Sequence, residues 1–345
     1  MNREQDDIRT IEKVNQIVKD ELPGFASRYF NHNMSLKTPR SLYGYTLDLK
    51  YFFQYLETIG LSIKDMLLKD LDQITPQIIE DFLEYSRTHS KGRAGVEMSL
   101  SGLARRHGAL SSFFDYYYKL DLIDKNPVHK VPAPRPERNT TPIPTNSINF
   151  EMLDFVINGD LGGRRNEYRV HTKERDLAII LLIMGAGIKG SDVVNLDIDD
   201  VHLEGNYINV RTRKSVRMVY FSDYISRAVG QYLAKRLDLI AQYGDDNALF
   251  LSLQGKRICL RAVQKMIKKY SSAMFDDRDH LTGEALALSF RNNIFYRTKN
   301  IPITSAASGN VEEHLLKYYR GAVDLYECHK GKEFAIKPSS QEGNM

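Results

Sequence analysis

The stretch that decides the fold is GAGIKGSDVVNL at residues 185–196, which follows the most apolar run of the chain, residues 177–184. Glycine adopts the left-handed backbone that ends many helices, so a buried helix is predicted to end in these glycines. A new helix is predicted to begin at Ser191, with Lys189 on the turn between the two helices. A cation fixed beside a helix N-terminus is suited to contact a phosphate.

The composition is that of an ordinary globular protein. A length of 345 residues is enough for two or three domains, and 42% of the residues are hydrophobic and 27% charged. Residues 1–10 contain no apolar core of the signal-peptide type, and no window approaches about 18 uninterrupted apolar residues. We therefore expect no membrane segment and a cytoplasmic location, associated with the nucleoid.

The cysteines and the net charge exclude few classes of function. Cys259 and Cys328 form neither a metal-binding pattern nor a disulfide framework, so we expect no metal and no cofactor. The net charge of +4, with an isoelectric point near 8.8, is mildly basic. Such a charge permits a nucleic-acid partner without requiring one, and the distribution of the basic residues carries more information.

Helical patterns fill residues 1–131, which we predict to be an N-terminal all-α domain. A polar helix is expected over residues 3–21. Thr38-Pro39 and Thr75-Pro76 each combine an N-cap with proline at the first helical position, and apolar residues then recur at three- and four-residue spacing. A fourth helix is expected over residues 96–120.

Basic residues cluster near this fourth helix, in a span with few acids: Arg87, Lys91, Arg93, Arg105 and Arg106. Arg105 and Arg106 are expected to lie off the apolar face of the helix. Two interpretations stay open, because clustered charges are common on solvated helices and also occur on surfaces that follow a phosphate backbone.

Five prolines in residues 132–145 predict an extended linker and the clearest domain boundary of the chain. Residues 146–330 form the predicted second domain, and residues 331–345 a polar tail. This domain is expected to be mostly helical, with a charged loop from Arg164 to Lys173 and a helix beginning at Arg175. Strand-like residues at 207–211 and 216–221 predict one hairpin.

The order of these elements, and the motifs within them, resemble the tyrosine recombinase family of phage integrases and Xer-type resolvases. The resemblance covers about residues 41–319. Residues 41–56 and the LIDKNP exit at 122–127 resemble the helical, SAM-like core-binding domain of that family. It implies a mainly α fold: this domain, and an α-rich catalytic-type domain with a small antiparallel β-sheet. Together they would form a C-shaped clamp on DNA.

Two motifs carry the resemblance in the first part of the second domain. GIKGSDVV at 187–194 is similar to the family's Gly-Leu-Arg-x-Ser-Glu-Leu box, with Lys189 at the position of the first catalytic arginine. RTRKSVRMVYF at 211–221 resembles the hairpin that carries the catalytic lysine, with Lys214 one residue from the usual spacing to Arg217.

Two later motifs complete it. LSFRNNIFYR at 288–297 resembles the family's His-x-x-Arg-His box, with Arg291 at the second catalytic arginine, Leu288 at the histidine and Asn292 at the following histidine. SGNVEEHLLKYY at 308–319 resembles the last box, with Gly309 at the His/Trp position and Tyr318 at the nucleophile, a role for which Tyr319 competes.

A member of this family cuts DNA by attack of the tyrosine on a phosphodiester, which gives a 3′-phosphotyrosine without a metal or a nucleotide. Lysine cannot reproduce the planar fork of arginine at such a site. Losing one preorganised donor lowers a rate by roughly 10²–10³, and losing an acid/base group lowers it by roughly 10²–10⁴. We therefore expect no catalysis, with vestigial positions at Lys189, Lys214, Arg291 and Tyr318 and lost groups at Leu288 and Gly309.

The sequence therefore predicts a protein that is not an enzyme: a phage or prophage repressor that binds specific double-stranded DNA sites and regulates transcription. The alternative is a site-specific recombinase that is active or assisted by a partner subunit. A homo-oligomer on DNA, formed through the C-terminal tail, is also expected. The expected DNA contacts are Arg93, Arg105, Arg106, Lys189, Lys214, Arg217 and Arg291.

Overall fold

The computed structural model describes residues 3–89, 97–136, 143–212, 215–243, 247–275 and 281–329. The chain separates into two compact units, Met1–Thr140 and Thr141–Met345.

The N-terminal unit is helical throughout its described regular structure. Its helices are α1 (Arg3–Glu21), α2 (Ala26–Asn33), α3 (Pro39–Thr58), α4 (Pro76–Thr88) and α5 (Leu100–Tyr118). The predicted Thr-Pro starts are confirmed, because the hydroxyl of Thr38 accepts a hydrogen bond from the Ser41 amide and that of Thr75 accepts one from the Ile78 amide. The α2 helix was not predicted.

Phenylalanine rings hold these helices together. The rings of Phe52 and Phe82 meet edge to face with centroids 5.0 Å apart, and those of Phe53 and Phe113 do so at 5.9 Å. All four side chains are fully buried. Edge-to-face pairs of this kind add stabilisation to the burial of apolar area, so α3 is fixed between α4 and α5.

The C-terminal unit is mainly α, with a small antiparallel sheet in the order β1-β2-β3. Its helices are α6 (Asn146–Asn158), α7 (Arg164–Ala186), α8 (Gly190–Val193), α9 (Asp223–Tyr243), α10 (Leu260–Met274), α11 (Gly283–Thr298), α12 (Ile301–Ser308) and α13 (Glu312–His329). Its strands are β1 (Val201–His202), β2 (Tyr207–Arg211) and β3 (Val216–Tyr220). The predicted fold class and the predicted hairpin are confirmed, with Tyr207 paired to Tyr220 and Arg211 to Val216.

One predicted element is wrong. The α7 helix begins at Arg164, so the expected loop from Arg164 to Lys173 is helical. Arginine, lysine and glutamate are good helix formers, and most side chains in this half of α7 are exposed, so no apolar period marks it. From Ala178 onward α7 enters the core of the unit, and Ile179 and Leu182 are fully buried there.

Candidate active site

The turn that carries Lys189 has the predicted geometry. The α7 helix ends at Gly187 in the left-handed region, with φ of 66°, and the Ile188 amide donates to the Leu182 carbonyl at 3.1 Å. Lys189 is the N-cap residue of α8, and its carbonyl accepts from the Asp192 amide at 2.8 Å. The Lys189 side chain is exposed, so its ammonium group is free to contact a solvent-borne anion.

Gly187 brings this turn against α11. A Cβ atom at residue 187 would come within 2.4 Å of the Phe290 ring, so only glycine permits this approach. Phe290 directly precedes Arg291. The turn of Lys189 and the helix of Arg291 are therefore packed against each other.

Arg291 belongs to α11 and is buried against α13, with an exposed fraction of 8%. Its Nε donates to the Tyr319 hydroxyl at 3.2 Å, and its Cζ lies 4.4 Å from the centroid of the Tyr318 ring. The Tyr319 hydroxyl in turn donates to Oδ1 of Asn292. The structure thus joins the arginine predicted for the site to both candidate tyrosines.

The two tyrosines meet Arg291 in different ways. Tyr318 is 47% exposed and offers its ring face, whereas Tyr319 is 3% exposed and offers its hydroxyl. Neighbouring residues of a helix point about 100° apart, which accounts for one side chain outside and one inside. The Tyr319 ring also stacks on the Phe295 ring, with the two centroids 3.9 Å apart. Burial raises the pKa of the Tyr319 phenol, and the positive charge of Arg291 opposes that rise.

Arg217 reaches from β3 to the end of α12. Its Nη1 donates to the Ala307 carbonyl at 2.9 Å. Gly309 ends α12 with φ of 64°, and a Cβ atom there would lie 2.8 Å from Cζ of Arg217. Burial lowers the pKa of the Arg217 guanidinium, and the carboxylate of Asp192 opposes this effect. Asp192 belongs to α8, which begins directly after Lys189, so Lys189, Arg217 and Gly309 share one region.

Leu288 lies half-buried on α11, one turn before Arg291. Its aliphatic side chain offers no group that exchanges a proton at this position. Lys214 and Arg93 lie outside the described residues, so their predicted roles stay predictions. Among the residues that the structure does describe, no group of three histidine, cysteine, aspartate or glutamate side chains could hold a metal ion.

Of the two arginines of α5, Arg105 lies off the apolar face as expected and Arg106 does not. Arg105 is half-exposed, and its Nη1 donates to Oδ2 of Asp48 and to the Gly44 carbonyl. Arg106 is 8% exposed, with Nε 3.5 Å from Oδ1 of Asp48 and Cζ 4.0 Å from the centroid of the Tyr51 ring. The expectation that Arg106 lies off the apolar face is wrong, because the ring and the carboxylate hold its guanidinium inside the unit.

Sequence reasoning missed Asp48 and undervalued Tyr319. Asp48 stands between apolar residues of α3, and its partner Arg105 is 57 residues away, so no local pattern signals the pair. The adjacent Tyr318 and Tyr319 could be distinguished only by the rotation of α13. No helix within the described ranges is long and apolar enough to cross a lipid bilayer.

Comparison with known proteins finds similarity to tyrosine recombinases. Residues 166–293 match the model of the Phage integrase family. The tyrosine recombinase XerS of Streptococcus thermophilus is 28% identical over 91% of this chain and 96% of its own length. XerS of Streptococcus mutans is 27% identical over the same shares of both proteins. The chain is therefore similar to tyrosine recombinases over nearly its whole length.

Solved structures agree with the fold of this chain. The integrase of transposon Tn1549, in complex with transposon right end DNA, superposes with a TM-score of 0.64 at 16% identity, covering 89% of this chain and 98% of that one. The XerH recombinase bound to a difH substrate superposes with a TM-score of 0.60 at 18% identity, covering 86% and 81%.

One expectation from the sequence is corrected by these matches. The departures at Lys189, Leu288 and Gly309 led us to expect a protein that is not an enzyme. That expectation is wrong, because the relatives that match nearly the whole chain are named as tyrosine recombinases, which are enzymes.

Proposed function

We propose that this protein is a site-specific tyrosine recombinase whose nucleophile is Tyr319. The observation that carries the proposal is the hydrogen bond of 3.2 Å from Nε of Arg291 to the Tyr319 hydroxyl. In the proposed reaction the phenol gives its proton to solvent, and its oxygen forms a bond to phosphorus. The bond from phosphorus to the 5′-oxygen breaks, and that oxygen takes up a proton from solvent as it leaves. The product is a 3′-phosphotyrosine.

The cations of the site would stabilise the charge that develops on the phosphate. Arg291 supplies a planar fork that can bind two non-bridging oxygens, and Lys189 supplies an exposed point charge from the turn before α8. Arg217 keeps part of its fork beyond the bond to Ala307 and can add a third contact. Preorganised donors of this kind are the main source of catalysis at a transferring phosphoryl group.

Tyr319 is preferred to Tyr318 because its contact with Arg291 is made by its hydroxyl oxygen, the atom that would attack phosphorus. Tyr318 lies over Arg291 by its ring at 4.4 Å. Its exposed position next to Tyr319 also makes it a matched control, since the two phenols share one helix and one arginine.

The experiment is to trap the covalent intermediate. Bound sites are first mapped in vivo, and nicked suicide duplexes of the best site are then incubated with the wild type, Tyr319→Phe and Tyr318→Phe. We expect a covalent DNA adduct with the wild type and Tyr318→Phe, and none with Tyr319→Phe. An adduct lost only in Tyr318→Phe would overturn the choice of nucleophile. A wild type that binds the site and forms no adduct would overturn the recombinase proposal.

A second candidate function, binding of specific DNA sites to regulate transcription, is favoured by Leu288 and Lys189. Both residues differ from the family motifs at positions that have a catalytic role in those motifs. DNA binding depends on basic groups and needs no proton transfer. This function would belong to a phage or prophage protein acting in the cytoplasm. Many dispersed sites in the in vivo map, with repression retained in Tyr319→Phe, would support it; one paired crossover site would count against it.

We also propose that the protein assembles on DNA through its C-terminal segment, including residues 331–345. Measurement of the mass in solution with and without the mapped site tests this assembly. A monomer in both states would contradict it.

A further inference from the structure

The carboxylate of Asp48 is shared by two arginines. It is buried, with an exposed fraction of 3%, and each of its oxygens faces a different guanidinium. Oδ2 accepts from Nη1 of Arg105, and Oδ1 lies 3.5 Å from Nε of Arg106. One negative charge therefore serves two positive charges at the junction of α3 and α5.

Arg106 keeps Asp48 in place. Its guanidinium lies 4.0 Å from the centroid of the Tyr51 ring, and burial lowers its pKa while the negative charge of Asp48 opposes that effect. The charge of Asp48 is thus the main compensation for this buried cation. A buried charge that loses its partner is strongly destabilising, so Asp48 cannot follow Arg105 outward when Arg105 meets a ligand.

Arg105 is the outward-facing member of the cluster. Its side chain is 49% exposed. Nη1 is occupied by Asp48 and by the Gly44 carbonyl at 3.3 Å, and the other guanidinium nitrogens have no hydrogen bond to any described residue. Its neighbours along the two helices include Gly44 and Gly108, which carry no side chain that could keep a ligand away.

The guanidinium of Arg105, held in place by Asp48, is better suited to bind two neutral hydrogen-bond acceptors than a phosphate. The carboxylate on one edge of the guanidinium would repel a phosphate on the other edge, because both are anions a few ångströms apart. The Hoogsteen edge of guanine presents O6 and N7, is neutral, and accepts two hydrogen bonds from one arginine. The carboxylate of Asp48 does not repel the guanine edge. It also holds the side chain of Arg105 in one conformation, so less side-chain entropy is lost when guanine binds.

We propose that Arg105 reads a guanine in the major groove of the target site and that Asp48 is the residue that positions it. This inference rests on the proposed action of the protein on specific DNA sites. It assigns a specificity determinant to the N-terminal unit, separate from the tyrosine and arginine that would carry the chemistry.

The test measures binding in a Tyr319→Phe background, so that cleavage plays no part. Each guanine of the mapped site is replaced in turn by 7-deazaguanine, which lacks the N7 acceptor. We expect one position at which the replacement weakens binding of the otherwise wild-type chain by about 5- to 150-fold. The same replacement should have no further effect on Arg105→Ala, and a reduced effect on Asp48→Asn.

Arg40→Ala is the matched control, since Arg40 is an exposed arginine of α3. It should leave the effect of every deazaguanine unchanged. Thermal unfolding checks that each variant folds, and Arg105→Ala carries the test even where Asp48→Asn is destabilised, because Arg105 is half-exposed.

The outcomes separate this inference from the proposed function. A chain that prefers the mapped site, but whose Arg105→Ala variant keeps the full set of deazaguanine effects, would overturn the inference alone. An equal loss of affinity for the mapped site and for random DNA in Arg105→Ala would indicate a phosphate contact and would also overturn it. A chain with no preference for any DNA site would contradict the proposed function itself.

Discussion

Gly187 lies directly against Phe290: a Cβ atom at residue 187 would come within 2.4 Å of Cδ1 of the phenyl ring. The backbone at Gly187 is also left-handed, with φ of 66°. This one contact aligns the turn of Lys189 with the helix that carries Arg291, and it requires the absence of a side chain.

Gly187→Ala should therefore destabilise the C-terminal unit. Left-handed strain and overpacking against Phe290 together should lower the free energy of unfolding by about 2–4 kcal/mol. Urea denaturation measures this loss, and adduct formation should fall with it as Arg291 is displaced. Gly230→Ala in α9 is the control, because a Cβ there makes an ordinary contact of 3.5 Å with Leu203; equal stability of the two variants would contradict the prediction.

Lys189→Arg should increase the rate of adduct formation. An arginine at this position offers two parallel hydrogen bonds to a phosphate where lysine offers a point charge, and one preorganised donor is worth roughly 10²–10³ in rate. Single-turnover trapping on the suicide duplex measures the change. Lys317→Arg, at a side chain 75% exposed on α13, should have no effect. A Lys189→Arg rate at or below the wild-type rate would argue that Lys189 does not contact the reacting phosphate.

The rate of adduct formation should rise with pH. Burial raises the pKa of the Tyr319 phenol above its usual value, so the phenol is protonated at neutral pH. Leu288 supplies no base to accept the proton. The rate should then increase about tenfold per pH unit between about pH 6 and 9, below the phenol pKa, because only the deprotonated fraction attacks.

Leu288→His gives the comparison for this pH profile. An imidazole with an ordinary pKa of about 6.5 should raise the rate at neutral pH and flatten the profile above that value. A wild-type profile that is already flat near neutral pH would show that another group takes the proton of Tyr319.

Asp176→Ala should destabilise the C-terminal unit through buried electrostatics. Asp176 is fully buried and accepts from Nη2 of Arg175 at 2.7 Å and from the Tyr270 hydroxyl at 3.0 Å. Its removal leaves the guanidinium of Arg175, whose side chain is 13% exposed, without its carboxylate. Breaking an ion pair in this way lowers the free energy of unfolding by about 3–5 kcal/mol. Chemical denaturation should show this loss and almost none for Asp154→Ala on the exposed side of α6. Similar denaturation midpoints for Asp176→Ala and Asp154→Ala would refute this prediction.

The parts of the fold that the sequence predicted are those with local signals. Thr38-Pro39 and Thr75-Pro76 mark helix starts through groups within three residues of each other. Gly187 marks a helix end through its own backbone. The charged half of α7 has no such signal, because an exposed helix needs no apolar period, and it was predicted as a loop.

Only the residues of the site that lie in its sequence motifs could be predicted from the sequence. The motifs identified Arg291 and its two tyrosines, and the structure joins all three. The orientation of Tyr318 and Tyr319 depends on how α13 packs on α11, and the burial of Arg106 depends on a carboxylate and a ring from another helix. Long-range packing decided both, and neither leaves a mark in the neighbouring sequence.

Arg291 and Tyr319 are 28 residues apart in one polypeptide, connected through the short helix α12. A chain built in this way carries its own tyrosine to its own arginine. In a mixed assembly of damaged chains, one copy that lacks the arginine and another that lacks the tyrosine could not complement each other. The number of strands cut would follow the number of intact chains, so each subunit would act as an independent unit of cleavage even within an oligomer.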